Sequence, residues 1–143
     1  MLVDVGPVAS GSVKAWTEWA DQLVGEFRDE FPSNTSLPAT AMEDLGRYVR
    51  QWKPPKGGGE TWRWHAETDP DELEYLVHAL FRLDARLSAE VRRGERADAP
   101  DNGRAFYLVL VRALLHALEM ESPARAAFVD QLRSSWPIAA QAN

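Results

Sequence analysis

The sequence contains no cysteine among its 143 residues. This absence excludes a disulfide framework, a thiolate nucleophile and a thiolate-bound metal. The sequence also has no uninterrupted apolar run of about 20 residues, which is the length that a helix needs to cross a bilayer. Its first ten residues lack the basic and apolar regions of a signal peptide. These absences predict a soluble, cytoplasmic protein that does not associate with a membrane.

The local motifs of several enzyme classes are missing as well. No serine lies in a G-x-S-x-G elbow, and no G-x-x-x-x-G-K-[ST] phosphate loop occurs. The acids that follow residue 66 lack the glycine and glutamate positions of a calcium-binding loop. We therefore predict no catalytic residues, no metal and no cofactor. The sequence favours a protein that is not an enzyme, although a site built from distant residues would leave no local motif.

Positive charge is scarce relative to negative charge. The chain has 22 acidic and 16 basic residues, and its formal net charge is −6. A protein that binds duplex DNA needs a basic face to neutralise phosphates, so this balance argues against such a partner. An acidic surface favours solubility and can complement a basic protein.

The most apolar stretch, residues 106–118, predicts the centre of the fold. Eleven of its thirteen residues are apolar, and only Arg112 and His116 interrupt it. A helix that is apolar nearly all round is normally enclosed by its neighbours. The sequence therefore predicts an all-α single-domain bundle of about five helices around a central buried helix at about 104–120. The domain spans residues 1–143, with frayed ends at 1–9 and 137–143.

The other predicted helices flank this centre. Apolar residues recur every three or four positions from residue 13 to residue 31, which predicts an amphipathic first helix. Asp69-Pro70 has the form of a helix start and Gly94 that of a helix end. Ser122-Pro123 predicts the start of the last helix, which Pro137 ends.

Residues 40–65 admit two interpretations. A capping box at residues 40–43 and apolar spacing up to Trp52 favour a helix. The competing interpretation pairs residues 48–53 with residues 60–65 as a β-hairpin. In either case two prolines and three glycines at 54–59 predict a loop, and alternation after it predicts an aromatic-rich extended segment up to residue 65.

The candidate binding residues come from two places. Residues 47–65 contain five cations and one acid, interleaved with aromatic side chains, a pattern that suits stacking and cation–π contacts. On the central helix, a polar strip could hold an anionic group, since arginine is a planar donor. The candidates are Arg50, Trp52, Trp62, Arg63, Trp64, Arg112 and His116.

Three functions are consistent with these patterns. The favoured one is a small acidic cytoplasmic protein-binding module that masks or regulates a partner protein, of the immunity, antitoxin or inhibitor type, with a basic partner. The first alternative is a small-anion or nucleotide binder that uses residues 47–65. The second alternative is a homodimeric structural protein, in which a second copy covers apolar surface.

Overall fold

The computed structural model describes residues 1–16, 18, 19, 61–67 and 69–141, and all their side chains except those of residues 62, 64–66 and 79. The predicted capping box at 40–43, the loop at 54–59 and most of the first helix lie outside these residues. The choice between a helix and a hairpin at 48–53 therefore stays a prediction.

A two-stranded antiparallel sheet and five helical segments make up the described part of the chain. They are, in order, β1 (Leu2–Ala9), α1 (residues 10–16, 18 and 19), β2 (Thr61–Glu67), α2 (Pro70–Arg92), α3 (Asp101–Glu121), α4 (Pro123–Ser135) and α5 (Pro137–Gln141). Helix α3 contacts β1, α2, α4 and α5. The predicted helical bundle around a central helix is confirmed.

The apolar residues of α3 form most of the core. Its buried positions recur at helical spacing: Gly103, Phe106, Leu110, Val111, Leu114, Leu115 and Leu118. Burial of a large apolar side chain contributes about 1.5–3 kcal/mol relative to its exposure, so this face dominates the packing energy. The helix is not enclosed on all sides, however, because Arg112, His116 and Met120 are exposed.

Helix α1 approaches α3 closely at Gly103. A Cβ atom at this glycine would lie 3.1 Å from the backbone N of Trp16 and 3.3 Å from its Cα. The Trp16 indole is buried beside this contact, with its ring centroid 5.4 Å from that of Phe106. A side chain at position 103 would have to move a helix backbone, so glycine sets the distance between the two helices.

The first nine residues are not the frayed end that the sequence predicted. Residues 2–9 form β1, which pairs with β2 from Leu2↔Glu67 to Ala9↔Thr61. The valines at positions 3 and 5 are buried, and the pairing is irregular between Val5 and Val8. Because alternate side chains of a strand face opposite ways, the chain buries both valines against the core, which contacts β1 through α3. The predicted extended segment is confirmed as β2.

Local sequence signals fix the ends of α2 and α4. The Asp69 carboxylate accepts hydrogen bonds from the backbone N–H groups of Asp71 and Glu72 at 2.8 and 3.2 Å. The Ser122 hydroxyl accepts one from the Arg125 N–H at 3.2 Å. Gly94 follows α2 with a φ of 73°, a left-handed conformation that glycine adopts readily. These three predicted ends are confirmed.

The prediction of a frayed end at 137–143 is wrong for residues 137–141. Pro137 ends α4 as predicted, but residues Pro137–Gln141 form the short helix α5, in which Ile138 and Ala139 are buried. These two side chains complete the core beside α3, which explains why the segment is ordered. Among the described residues, no helix combines the length and hydropathy that crossing a membrane requires.

The close approach at Gly103 gives a test of this packing. We expect Gly103→Ala to lower the free energy of unfolding by about 1–2 kcal/mol, because overpacking against backbone costs more than the helix gains from alanine. Gly11 in α1 is the matched control, since nothing lies within 4 Å of a Cβ added there. Gly11→Ala should leave the stability unchanged or slightly higher in urea denaturation. Equal effects of the two substitutions would contradict the close-approach account.

Candidate functional site

The residues predicted at 47–65 are only partly described. Trp62 and Trp64 lie on β2, where they pair with Val8 and Val5, and Arg50 and Trp52 lie outside the described residues. Arg63 is exposed, and its Nε and Nη2 atoms donate to the Asp4 carboxylate at 2.9 and 2.5 Å. The hydrogen bonds and the charge of Asp4 raise the pKa of Arg63. This guanidinium is therefore engaged within the sheet.

The polar strip on α3 does not line a buried cavity. The side chain of His116 is 68% exposed, and its Nδ1 lies 3.6 Å from Glu119 Oε1. Arg112 is exposed on the same helix. The Glu119 carboxylate accepts a hydrogen bond from Arg133 at 2.7 Å, which lowers the pKa of Glu119. The sequence predicted an enclosed central helix, but α3 is exposed to solvent at Arg112 and His116.

Arg63 lies on a different element from Arg112 and His116. Its partner Asp4 is exposed on β1 and alternates with the buried Val3 and Val5, so the Asp4–Arg63 pair lies on the outer face of the sheet. Arg112 and His116 lie on the exposed face of α3. Arg63 is therefore part of the sheet surface, whereas Arg112 and His116 are part of the surface of α3.

A cavity of about 260 Å³ lies elsewhere, between α1, α2, α3 and α5. Its walls are mainly apolar and aromatic, and its polar lining includes two acids and two arginines. The lining residues that matter for its chemistry are Trp16, Trp19, Leu80, Asp84, Leu87, Arg92, Asp98, Arg104, Tyr107 and Ile138. We call this the α2–α3 cavity. A concave, mostly apolar space with a few polar groups is typical of a small-molecule site.

Asp84 is the half-buried acid of this cavity. Its Oδ2 atom accepts a hydrogen bond from the Trp136 indole Nε1 at 2.9 Å. Burial raises the pKa of Asp84, and the charge of Asp98 acts in the same direction. The Trp136 hydrogen bond and the charge of Arg104 oppose this increase. Two neighbours on α2, Leu80 and Leu87, are buried, so the carboxyl group extends from an apolar helix face.

The sequence contains an indication that Asp84 is unusual, although no local motif includes this residue. Position 84 is four residues after Leu80 and three before Leu87, so it falls on the same face of α2 as these two apolar residues. An acid on such a face has to find a partner or line a cavity. Its partner, Trp136, is 52 residues away in the chain, and no local pattern identifies it.

Aromatic rings form the α1–α3 side of the cavity. The Trp16 indole stacks on the Tyr107 phenol with centroids 5.8 Å apart and an interplanar angle of 16°. Burial, with a smaller contribution from the charge of Asp84, raises the pKa of Tyr107 well above its ordinary value. Tyr107 therefore stays protonated at neutral pH. Both residues line the cavity, and together they form its aromatic wall.

An exposed ion pair lies at the edge of the same cavity. The Arg104 Nη1 atom donates to both carboxylate oxygens of Asp98 at 2.9 Å. The Arg104 and Asp98 side chains are 51% and 53% exposed, and Arg92 is exposed as well. The rim is therefore polar and hydrated, in contrast to the aromatic wall.

A second charged feature surrounds Arg125. This side chain is 18% exposed and donates to Asp71, Glu74 and Glu121 at 2.6, 2.5 and 2.7 Å. It joins the start of α2 to the junction of α3 and α4. We use the name acidic corner for the following set of residues: Glu67, Asp69, Asp71, Glu72, Glu74, Glu121 and Arg125. It contains six acids and one arginine, and the amino group of Met1 lies 3.3 Å from Glu67.

Comparison with protein-family models, with curated proteins and with solved structures finds no match for this chain.

The environment of Asp84 predicts a pH dependence of stability. Its raised pKa means that the folded protein binds a proton more tightly than the unfolded chain, so Asp84's contribution to stability is lost as the pH rises through the folded pKa. We expect the stability of Asp84→Asn, relative to the unmodified protein, to increase as the pH rises from about 3 to about 7. This range starts below the usual aspartate pKa of about 3.9. Urea denaturation at several pH values measures this difference.

Glu119 provides a control of opposite sign. Because its pKa is lowered, its contribution to stability is present above the unfolded pKa and is lost as the pH falls. Glu119→Gln should therefore become less stable relative to the unmodified protein over the same increase in pH. A relative stability of Asp84→Asn that decreases toward neutral pH would contradict the half-buried environment of Asp84.

Proposed function

We propose that this chain is a small acidic cytoplasmic protein-binding module that masks or regulates a basic partner. The observation that carries the proposal is the acidic corner. Its acids come from the β2–α2 connection, the first turns of α2 and the end of α3, so elements distant in sequence contribute to one negative surface.

The charge of the corner remains large after its internal pairs are counted. One arginine and the Met1 amino group face six carboxylates, which leaves a formal charge of about −4 before screening. Asp71 and Glu67 are 80% and 79% exposed. A field of this sign steers a basic partner toward the surface and increases its association rate, most strongly at low salt.

Arg125 gives this surface a defined geometry. Its three carboxylate partners are fixed relative to one another because a single guanidinium bonds to all of them. Fixed carboxylates lose less side-chain entropy when a partner's arginine or lysine binds. The corner therefore presents preorganised acceptors rather than separate mobile acids.

Two exposed apolar residues are chain neighbours of the corner. Tyr75 follows Glu74 on α2 and is 43% exposed, and Met120 precedes Glu121 on α3 and is 73% exposed. Interfaces combine a few apolar anchors with charged residues that set orientation. We propose that these two side chains supply apolar contact beside the acidic surface.

Two variants with the same charge change test the proposal. The corner variant Asp71→Asn/Glu72→Gln removes two exposed acids and leaves the Asp69 cap intact. The control variant Glu95→Gln/Asp130→Asn removes two exposed acids from other surfaces. Each protein is used for affinity capture from nuclease-treated lysate of the native host, at two salt concentrations, and association rates are then measured with the captured protein.

We expect the unmodified chain and the control variant to capture the same basic protein, which elutes as salt increases. The corner variant should associate roughly tenfold more slowly at low salt, with a smaller difference at high salt. Equal association rates for the two variants would contradict binding through the acidic corner. Capture of no protein by any of the three would contradict the masking function.

A further inference from the structure

The α2–α3 cavity carries an inference that is independent of the acidic corner. We propose that it binds a small organic amine, whose ammonium group pairs with Asp84 and whose apolar body lies against Trp16 and Tyr107. Four observations support this assignment: the size of the cavity, the bonding of Asp84, the aromatic wall and the position of the charged rim.

The size of the cavity limits the ligand. A cavity of roughly 150 Å³ with apolar walls binds benzene, and this one has about 260 Å³. It can therefore hold one aromatic ring or a similar hydrocarbon body together with a chain of a few atoms. A nucleotide, which has a base, a sugar and at least one phosphate, would extend beyond this volume into solvent.

The carboxylate of Asp84 has an unused acceptor atom. Oδ2 accepts the hydrogen bond from Trp136, whereas Oδ1 accepts none from any described residue. Asp84 lines the cavity together with the buried Leu80, Leu83 and Leu87, and a partly buried charge is most stable when it is paired and hydrogen-bonded. A protonated amine supplies both a hydrogen-bond donor and the opposite charge.

The aromatic wall favours the same ligand class. The stacked rings of Trp16 and Tyr107 line the cavity together with Trp19. The face of an aromatic ring attracts a cation within about 6 Å and also packs against a hydrocarbon body. Rings and a carboxylate in one cavity are complementary to an ammonium ion on a short apolar chain.

The charged rim does not favour an anion instead. Arg104 is engaged with Asp98, and the two acids and two arginines that line the cavity cancel in formal charge. Arg92, Arg104 and Asp98 are exposed, whereas Asp84 is only partly exposed. An anion at the rim would remain largely in water, because Arg92, Arg104 and Asp98 are exposed. The charge within the apolar part of the cavity is negative.

Three probes with one ring and different polar groups test this assignment on the unmodified protein. They are 2-phenylethylamine, 2-phenylethanol and 3-phenylpropionate, titrated at neutral pH and followed by the NMR signals of the tryptophan indole N–H groups. We expect the amine to bind at least tenfold more tightly than the alcohol and the carboxylate to bind most weakly. The signals of Trp16 and Trp136 should shift most.

Substitutions locate the effect at Asp84. Asp84→Asn removes the charge but keeps an oxygen that can accept from Trp136, and it should reduce the amine affinity at least tenfold while leaving the alcohol affinity unchanged. Asp98→Asn is the matched control at the rim and should change the amine affinity less than threefold. Circular dichroism verifies that both variants fold.

Several outcomes would overturn the proposal. They are equal affinities for amine and alcohol, tighter binding of the carboxylate, no binding of the amine at millimolar concentration, or unchanged amine affinity in a folded Asp84→Asn variant. The comparison of probes needs no substitution, so it decides the question even where a variant does not fold. Because the acidic corner is not involved, these results are separate from those on the protein partner.

Discussion

The described structure depends on the burial of one face of α3. This helix contacts β1, α2, α4 and α5, and its seven buried positions form the centre of the core. Hydrophobic burial is non-directional, so the directional contacts around α3 determine how its neighbours are arranged. Gly103 sets the approach of α1, the Trp136–Asp84 hydrogen bond joins the α4–α5 junction to α2, and Arg125 joins α4 to the start of α2.

The same helix carries residues of both proposed sites. Tyr107 lines the α2–α3 cavity near the start of α3, and Glu121 belongs to the acidic corner at its end. A helix rises 1.5 Å per residue, so the two residues lie about 20 Å apart along the axis. This distance explains why the two proposals concern separate surfaces and can be tested by separate substitutions.

Sequence patterns predicted the features that depend on neighbouring residues. The apolar stretch at 106–118 indicated α3, and the cap at Asp69, the cap at Ser122 and Gly94 indicated helix ends. Strand β1 was missed because its partner β2 begins more than fifty residues later and because Gly6-Pro7 interrupts its alternation. A strand of this kind is determined by tertiary pairing rather than by local preference.

The candidate sites likewise depend on tertiary packing that local sequence patterns do not reveal. The exposure of His116 could not be inferred from an apolar helix, because composition does not reveal which residues of the helix face solvent. The cavity could not be inferred either, since its walls come from α1, α2, α3 and α5. Asp84 was recognisable as an acid on an apolar helix face, but its hydrogen bond to Trp136 depends on how α2 packs against the end of α4.

Native-state hydrogen exchange tests most directly whether the core depends on α3. Its central amides, at Leu110, Leu114 and Leu115, should exchange only through global unfolding, with a denaturant dependence equal to that of equilibrium unfolding. The amides of α5 should exchange earlier, through local opening. Exchange of the central α3 amides through local opening, while α2 and α4 remain protected, would contradict the account.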